Sequence, residues 1–156
     1  MSKWQKFTVF LVALLDQATK LFVRNNFYLH ESREMTRFFS LTYVQNTGVA
    51  FGMFQGGNAS NVVFIFIAIS VILVIAAYKK VFEERGGRAA EAALALVFGG
   101  AMGNLIDRVL LGSVVDFFDF HFFPIFNVAD CCITIGGTLL FASLIFSRKR
   151  VRENVP

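Results

Sequence analysis

Between Gly99 and Asp130 the sequence GGAMGNLIDRVLLGSVVDFFDFHFFPIFNVAD carries four of the chain's five aspartates, at 107, 116, 119 and 130, among Leu, Val, Phe and Ile. Carboxylates in or beside hydrocarbon are costly and mark a functional site by default. Asp116 follows Gly112, a fitting C-cap for a preceding helix, and Asp130 falls in the first turn of the next one. The thirteen residues between them, 117–129, suffice to fold back and bring the two together. Two carboxylates a few ångströms apart in apolar surroundings do not both ionise readily. One keeps a proton while the other serves as a base, an arrangement that activates water. The plainer alternative for Asp130 is a capping pair with Asn127. Asp119 and His121 form an Asp-x-His pair, but two ligands on an aromatic loop make a poor metal site, and no metal is expected. Cys131 and Cys132 are adjacent, which seldom meets disulfide geometry, and read as small apolar helix residues.

These carboxylates need elements to hold them, and composition indicates which. The chain has 156 residues, is 56% hydrophobic and contains 20 Phe; mean hydropathy is +0.60. A soluble globular domain is not built this way. Apolar runs at about 7–23, 61–78, 89–111 and 126–146 approach the ~20 helical residues that cross a hydrocarbon core. The expected fold is an all-α integral membrane protein: one polytopic domain over 1–156, with four transmembrane helices and a small extramembrane β-sheet on the outer face. The first run contains Asp16 and Lys20 and is the least hydrophobic; with Lys3 and Lys6 before it, it also resembles a signal peptide. No small-x-small cleavage site follows Leu15, so a retained helix is expected. Ten of the fifteen Lys and Arg lie at 3–6, 79–88 and 148–152. By the positive-inside rule those segments and both termini are cytoplasmic. The charge thus sits where topology needs it, and a nucleic-acid partner is not expected.

Along the chain, Asp16 and Lys20 share a helical face, as an ion pair or as a contact to substrate or lipid head group. The outer β-rich segment, about 24–60, contains Phe39–Val44, rich in strand formers. Gln45-Asn46-Thr47-Gly48 reads as a turn, and Phe51–Phe54 as a stretch dipping into the interface. The second span, with Ser70 as its one internal polar residue, reads as lipid-facing scaffold. In the third, Gly100, Gly103, Asn104 and Asp107 form one inward stripe, and Gly99 with Gly103 lets a neighbouring backbone approach. Asp107 and Arg108 neutralise one another or other intramembrane charges. In the fourth, Asn127, Asp130, Cys131, Thr134, Gly137 and Thr138 form a second inward stripe. A small proton-coupled transporter, with Asp107, Arg108 and Asp130 as a relay, is the competing class; against it, the carboxylates cluster at one end and no internal repeat is visible.

Five stretches in order resemble the bacterial lipoprotein signal peptidases (signal peptidase II): Asp16-Gln17-x-x-Lys20, Asn46-Thr47-Gly48-Val49-Ala50-Phe51-Gly52, Gly103-Asn104-Leu105-Ile106-Asp107-Arg108, Val115-Asp116-Phe117 and Phe126-Asn127-Val128-Ala129-Asp130. Each alone is weak; five in register are specific. The resemblance implies an aspartic endopeptidase of the bacterial inner (cytoplasmic) membrane, with its site near the periplasmic face. It implies cleavage of diacylglyceryl-modified prolipoproteins on the amino side of the lipidated Cys, without a cofactor. Its implied partners are that substrate and membrane phospholipid, with the chain acting as a monomer. Asp116 and Asp130 look like the catalytic pair. Asn46, Gly48, Asn104, Asp107, Arg108 and Asn127 look like the supporting and substrate-binding shell, with Asp16 and Lys20 further out. The run between Phe117 and Phe126 is several residues shorter than in relatives.

Overall fold

The computed structural model describes residues 1–48 and 58–153, with side chains over 1–48 and 61–146; the expected interfacial stretch Phe51–Phe54 lies outside them. Helix α1 (Lys3–Asn26) opens on a reciprocal cap, in which the Ser2 hydroxyl accepts from the Gln5 N–H and the Gln5 side chain accepts from the Ser2 N–H. Two orphan donors are thereby satisfied. The helix buries Gln5, Val12, Asp16, Lys20 and Val23, while Phe7, Phe10, Leu14, Leu21 and Phe22 are more than half exposed. A helix that buries its mid-length charges, Asp16 and Lys20, and exposes its phenylalanines is inverted relative to a water-soluble one and suits a hydrocarbon surround.

Helix α2 (Asn58–Leu111) has 54 residues, about 80 Å if it were straight. It reverses instead at Gly87, where φ is +59° and ψ −148°. The Asn61 amide consequently donates to the Arg108 carbonyl at 3.0 Å, 47 positions away, and Ile75 packs with Leu94 and Val97. A Cβ at 87 would meet nothing within 4 Å, so the left-handed backbone, not crowding, calls for glycine there. Two antiparallel arms, 58–86 and 88–111, result, and they contain the apolar runs expected at 61–78 and 89–111.

Helix α3 (Val128–Glu153) packs on the second arm through its buried Gly136, where a Cβ would stand 2.7 Å from the Ala93 carbonyl and from Val97. The inward face of α3 is therefore Ala129, Ile133, Gly136 and Leu140. This corrects the second stripe read from the sequence: Thr134, Gly137 and Thr138 are exposed, and nothing lies within 4 Å of a Cβ at 137. Small and polar residues fell on both faces, so periodicity selected the wrong one. Among the described residues two helical stretches, Asn61–Leu111 and Val128–Phe146, are long and apolar enough to cross a membrane; α1, with Asp16 and Lys20 inside it, is not among them.

The sheet is antiparallel in the order β1 (Ser32–Thr36), β2 (Phe39–Asn46), β3 (Val114–Asp119). Gln45 and Asn46 belong to β2, pairing with Val115 and Val114, so the expected turn is confined to Thr47 and Gly48. Strand β3 lies in a segment expected only to fold back. Its first four residues are all buried, and a strand covered on both faces shows no alternation to read. Beyond it, Phe126 exchanges backbone hydrogen bonds with Phe118 and accepts one from Phe117, which lays the start of α3 against β3. Val23, Phe27, Tyr43, Val115 and Phe117 form the core joining helix ends to sheet. At the far end of the bundle, the Gln5 amide reaches Glu83 at 2.6 Å, and a Cβ on Gly86 would meet Ser143. The start of α1, the hinge of α2 and the end of α3 thus share one end, with sheet and aspartates at the other.

Candidate active site

The site is built in two tiers. The inner tier is a charge cluster around Lys20, whose ammonium is 2.8 Å from Asp16 Oδ2, 3.1 Å from Asp107 Oδ2 and 2.8 Å from Asn104 Oδ1. Asp16 is 0% and Lys20 2% exposed. Asp16 Oδ1 also accepts from the Ala129 N–H at 2.9 Å, and Asp107 Oδ2 from the Val115 N–H at 2.9 Å. Gln17 completes the tier, donating to Asp107 Oδ1, Asp16 Oδ2 and the Gly103 carbonyl. Gly99 and Gly103 admit α1: a Cβ on Gly103 would stand 2.4 Å from Asp16 Oδ2, and one on Gly99 2.7 Å from the Val12 Cβ. The partner of Asp107 is therefore Lys20 and not Arg108, so of the two pairings open in the sequence it is the one with another intramembrane charge that forms. Neighbours in a helix point about 100° apart, whereas Lys20 reaches Asp107 from the facing helix. Arg108 turns away, its guanidinium over the Phe64 ring at 5.2 Å and 3.5 Å from the Asn104 carbonyl, and it forms no ion pair among the described residues.

The outer tier is Asp116 and Asp130, and each is held by asparagine amides. Asp116 Oδ1 accepts from Asn127 Nδ2 at 2.7 Å, and its Oδ2 from Asn46 Nδ2 at 2.9 Å; Asn46 Oδ1 in turn accepts from the Gly48 N–H. Asp130 Oδ1 accepts from Asn104 Nδ2 at 2.8 Å, and its Oδ2 from the Asn127 N–H at 3.2 Å. The Asp130 N–H donates back to Asn127 Oδ1 at 2.9 Å, so Asn127 and Asp130 do form the reciprocal cap of α3. Asn127 thereby touches both aspartates, one through its side chain and one through its backbone. Asp116 is 3% exposed, and burial, reinforced by the charge of Asp130, pushes its carboxyl up to about 7 against the Asn46 and Asn127 hydrogen bonds. A carboxyl so placed holds a proton near neutral pH beside a second carboxylate, which is the requirement for activating water.

Of the residues singled out in the sequence, Asn46, Gly48, Asn104, Asn127, Asp116 and Asp130 converge on this outer tier. Asp16, Lys20 and Asp107 lie behind it, and Arg108 beside it. Gln17, within the first matching stretch, joins the site unexpectedly; an amide inside an apolar helix is its one signal in the sequence. The Val115 and Ala129 N–H groups were invisible, since a backbone donor leaves no mark on residue type. Asp119 accepts from Thr42 and from the His121 N–H, and His121 Nε2 lies 2.9 Å from Ser40, so this pair stitches the sheet edge.

A family model described as signal peptidase (SPase) II matches residues 8–146. The lipoprotein signal peptidase of Symbiobacterium thermophilum is 42% identical over 147 residues, covering 90% of this chain and 93% of its own. That of Halothermothrix orenii is 40% identical over 137 residues, covering 87% and 91%. Two solved structures, each described as a bacterial membrane enzyme structure by the in meso method, are similar with TM-scores of 0.83 and 0.77. They are 31% and 33% identical, and cover 97% and 90% of this chain and 93% and 91% of their own.

Proposed function

Because the chain belongs to the signal peptidase II family, aspartic-type proteases that remove the signal peptide from prolipoproteins, we propose that Asp116 and Asp130 are its catalytic pair. The observation that carries this is Asn127, one residue hydrogen-bonded to both carboxylates. A base and an acid sharing one proton must be held at fixed separation, and a common partner does that. The proton rests on Asp116, the more buried of the two. Ionised Asp130 takes a proton from water, the oxygen attacks the scissile carbonyl, and the Asp116 carboxyl donates a hydrogen bond to the developing oxyanion. The departing amine is then protonated from the pair. No cofactor enters these steps.

The bond cut is the one on the amino side of a cysteine carrying diacylglycerol. Its acyl chains and the surrounding phospholipid cover the outward Phe, Leu and Ile of the helices, while Asn46, Gly48 and Arg108 meet the peptide. The chain crosses the inner membrane four times as one polytopic domain and a monomer, through α1, both arms of α2 and α3. Both termini are cytoplasmic and the pair faces the periplasm. Support for this topology comes from Lys3, Lys6, Lys79, Lys80, Arg85 and Arg88, which gather at the hinge end, opposite the aspartates. The test is cleavage of a diacylglyceryl prolipoprotein by purified Asp130→Asn in detergent or lipid: no turnover by folded protein is expected, and substantial turnover sinks the pair.

A further inference from the structure

We propose that Lys20 is a positioning residue that sets the geometry of both aspartates at once, through one side-chain amide and two backbone donors. The inference rests on the catalytic pair proposed above. An ammonium has three N–H donors and no acceptor, and Lys20 spends them on Asp16, Asp107 and Asn104. Each arm ends at the pair. Asp16 holds the N–H of Ala129, the residue before Asp130, and Asp107 holds the N–H of Val115, the residue before Asp116.

The third arm sets an orientation. Asn104 Oδ1 accepts from Lys20 and, at 3.1 Å, from Asn127 Nδ2, which leaves Asn104 Nδ2 to donate to Asp130. Were the amide turned over, its NH2 would face an ammonium and its oxygen a carboxylate, two repulsions in place of two hydrogen bonds. The same logic fixes Asn127, whose NH2 meets Asn104 Oδ1, the Val115 carbonyl and Asp116 Oδ1 while its oxygen accepts from the Asp130 N–H. Hydrogen-bond polarity thus runs outward from the buried cation through Asn104 to Asp130, while Asn127 donates both to Asn104 Oδ1 and to Asp116. Of the charged groups in this end of the bundle, Asp16 from α1, Asp107 from α2 and Asp116 from β3 interact with Lys20, whereas Arg108 from α2 and the Cys131 and Cys132 thiols of α3 interact with the aspartates, Asp130 among them. Among these Lys20 also holds the Asp116 carboxyl down, against burial.

The test uses the full chain in detergent with a diacylglyceryl prolipoprotein. Lys20→Met/Asp16→Asn keeps the net buried charge and leaves Asp107 its Gln17 and Val115 donors, so a merely neutralising role predicts parental kcat and pH profile. The positioning role predicts a folded protein with kcat lowered about 10- to 100-fold, KM held, and the profile moved to higher pH. In an Asn104→Ala background the same pair of changes should lower kcat by a smaller factor, because one arm is already cut. If the methionine variant does not fold, Lys20→Gln/Asp16→Asn retains a donor at position 20 and takes its place. Parental kcat and profile in a folded variant overturn the proposal, and so does failure of both variants to fold, which assigns Lys20 to the frame alone. Asp130→Asn run alongside separates the two readings: inactive Asp130→Asn with a parental Lys20 variant removes only the positioning role, whereas active Asp130→Asn removes the pair.

Discussion

Two clusters of carboxylates sit within one bundle end, and they are treated in opposite ways. Asp16 and Asp107 share a buried ammonium at 2.8 and 3.1 Å and take backbone N–H groups besides. Among the described residues, Asp116 and Asp130 receive only neutral donors: three asparagine amides and one backbone N–H. A cation paired with a carboxylate in low dielectric fixes its charge and removes it from acid–base work, whereas neutral donors hold it in place and leave its proton free to move. On the proposed assignment, chemical competence comes from what each aspartate is denied. The residue type is the same throughout.

The sharpest test of that contrast applies the same double substitution to each cluster. Asp116→Asn and Asp130→Asn should each lower cleavage by at least about 10²- to 10⁴-fold, the range of one lost acid or base, with the fold intact. Their combination should be scarcely worse, because the two act as a unit. Asp16→Asn/Asp107→Asn instead strands the Lys20 ammonium without a counter-ion, at a cost of about 3–5 kcal/mol. Its expected result is a collapse in folded yield, read by size-exclusion chromatography in detergent. Asp119→Asn, on the sheet edge, is the control and should retain most activity. A well-folded cluster variant beside an unfolded pair variant would invert the assignment.

A second test reads pH. Asp116, ordinarily near 3.8, is raised to about 7 by burial first and the neighbouring charge of Asp130 second. Between those values the folded protein binds a proton that the unfolded chain has released, so this contribution to stability is complete below about pH 4 and is lost as pH rises through 7. Asn at 116 has no such dependence. Asp116→Asn should therefore melt higher than the parent at pH 8 by up to about 4 kcal/mol, at 1.4 kcal/mol per pH unit, with the gap closing toward pH 4. The kcat/KM profile of the parent should fall on its alkaline side near the same value. Equal gaps at pH 5 and pH 8 would show that Asp116 carries no trapped proton.

Much of this arrangement was legible from residue types. Carboxylates and amides in an apolar chain are costly, so Asp16, Asn104, Asp107, Asn127 and Asp130 announced themselves by being there. The helical arms followed from run length, and the glycine approach of α1 to α2 from the spacing of Gly99 and Gly103. Pairing was less legible. Arg108 is adjacent in sequence to Asp107, yet Lys20 holds it across 87 positions of chain, because helix rotation, not proximity in sequence, decides what a side chain faces. Strand β3 was hidden for a related reason. Burial on both faces erased the alternation that reveals a strand, and its role depends on backbone N–H groups that every residue but proline possesses. The inward face of α3 was misread where small residues lay on two sides.

The smallest expected effects come from two glycines, and they separate crowding from conformation. Gly103 lies in helix, and a Cβ there would stand 2.4 Å from Asp16 Oδ2 and 2.9 Å from its Cγ, atoms that are themselves pinned by Lys20 and the Ala129 N–H. Gly103→Ala should then push α1 from α2, cost about 1–3 kcal/mol as overpacking does, and lower activity, since the Ala129 contact lies one residue from Asp130. Gly112 has open space around its Cα but a φ of +74°, and its N–H closes α2 on the Arg108 carbonyl at 3.2 Å. Gly112→Ala meets no atom and pays only the left-handed conformation, about 1 kcal/mol, at the entry to β3. Thermal melting of both variants, with cleavage measured on the same samples, gives the order. Gly103→Ala should be the less stable and the less active of the two; a Gly103→Ala protein with parental melting and turnover would show that the buried cluster tolerates displacement, and that its grip on the backbone before Asp116 and Asp130 is not what holds the pair.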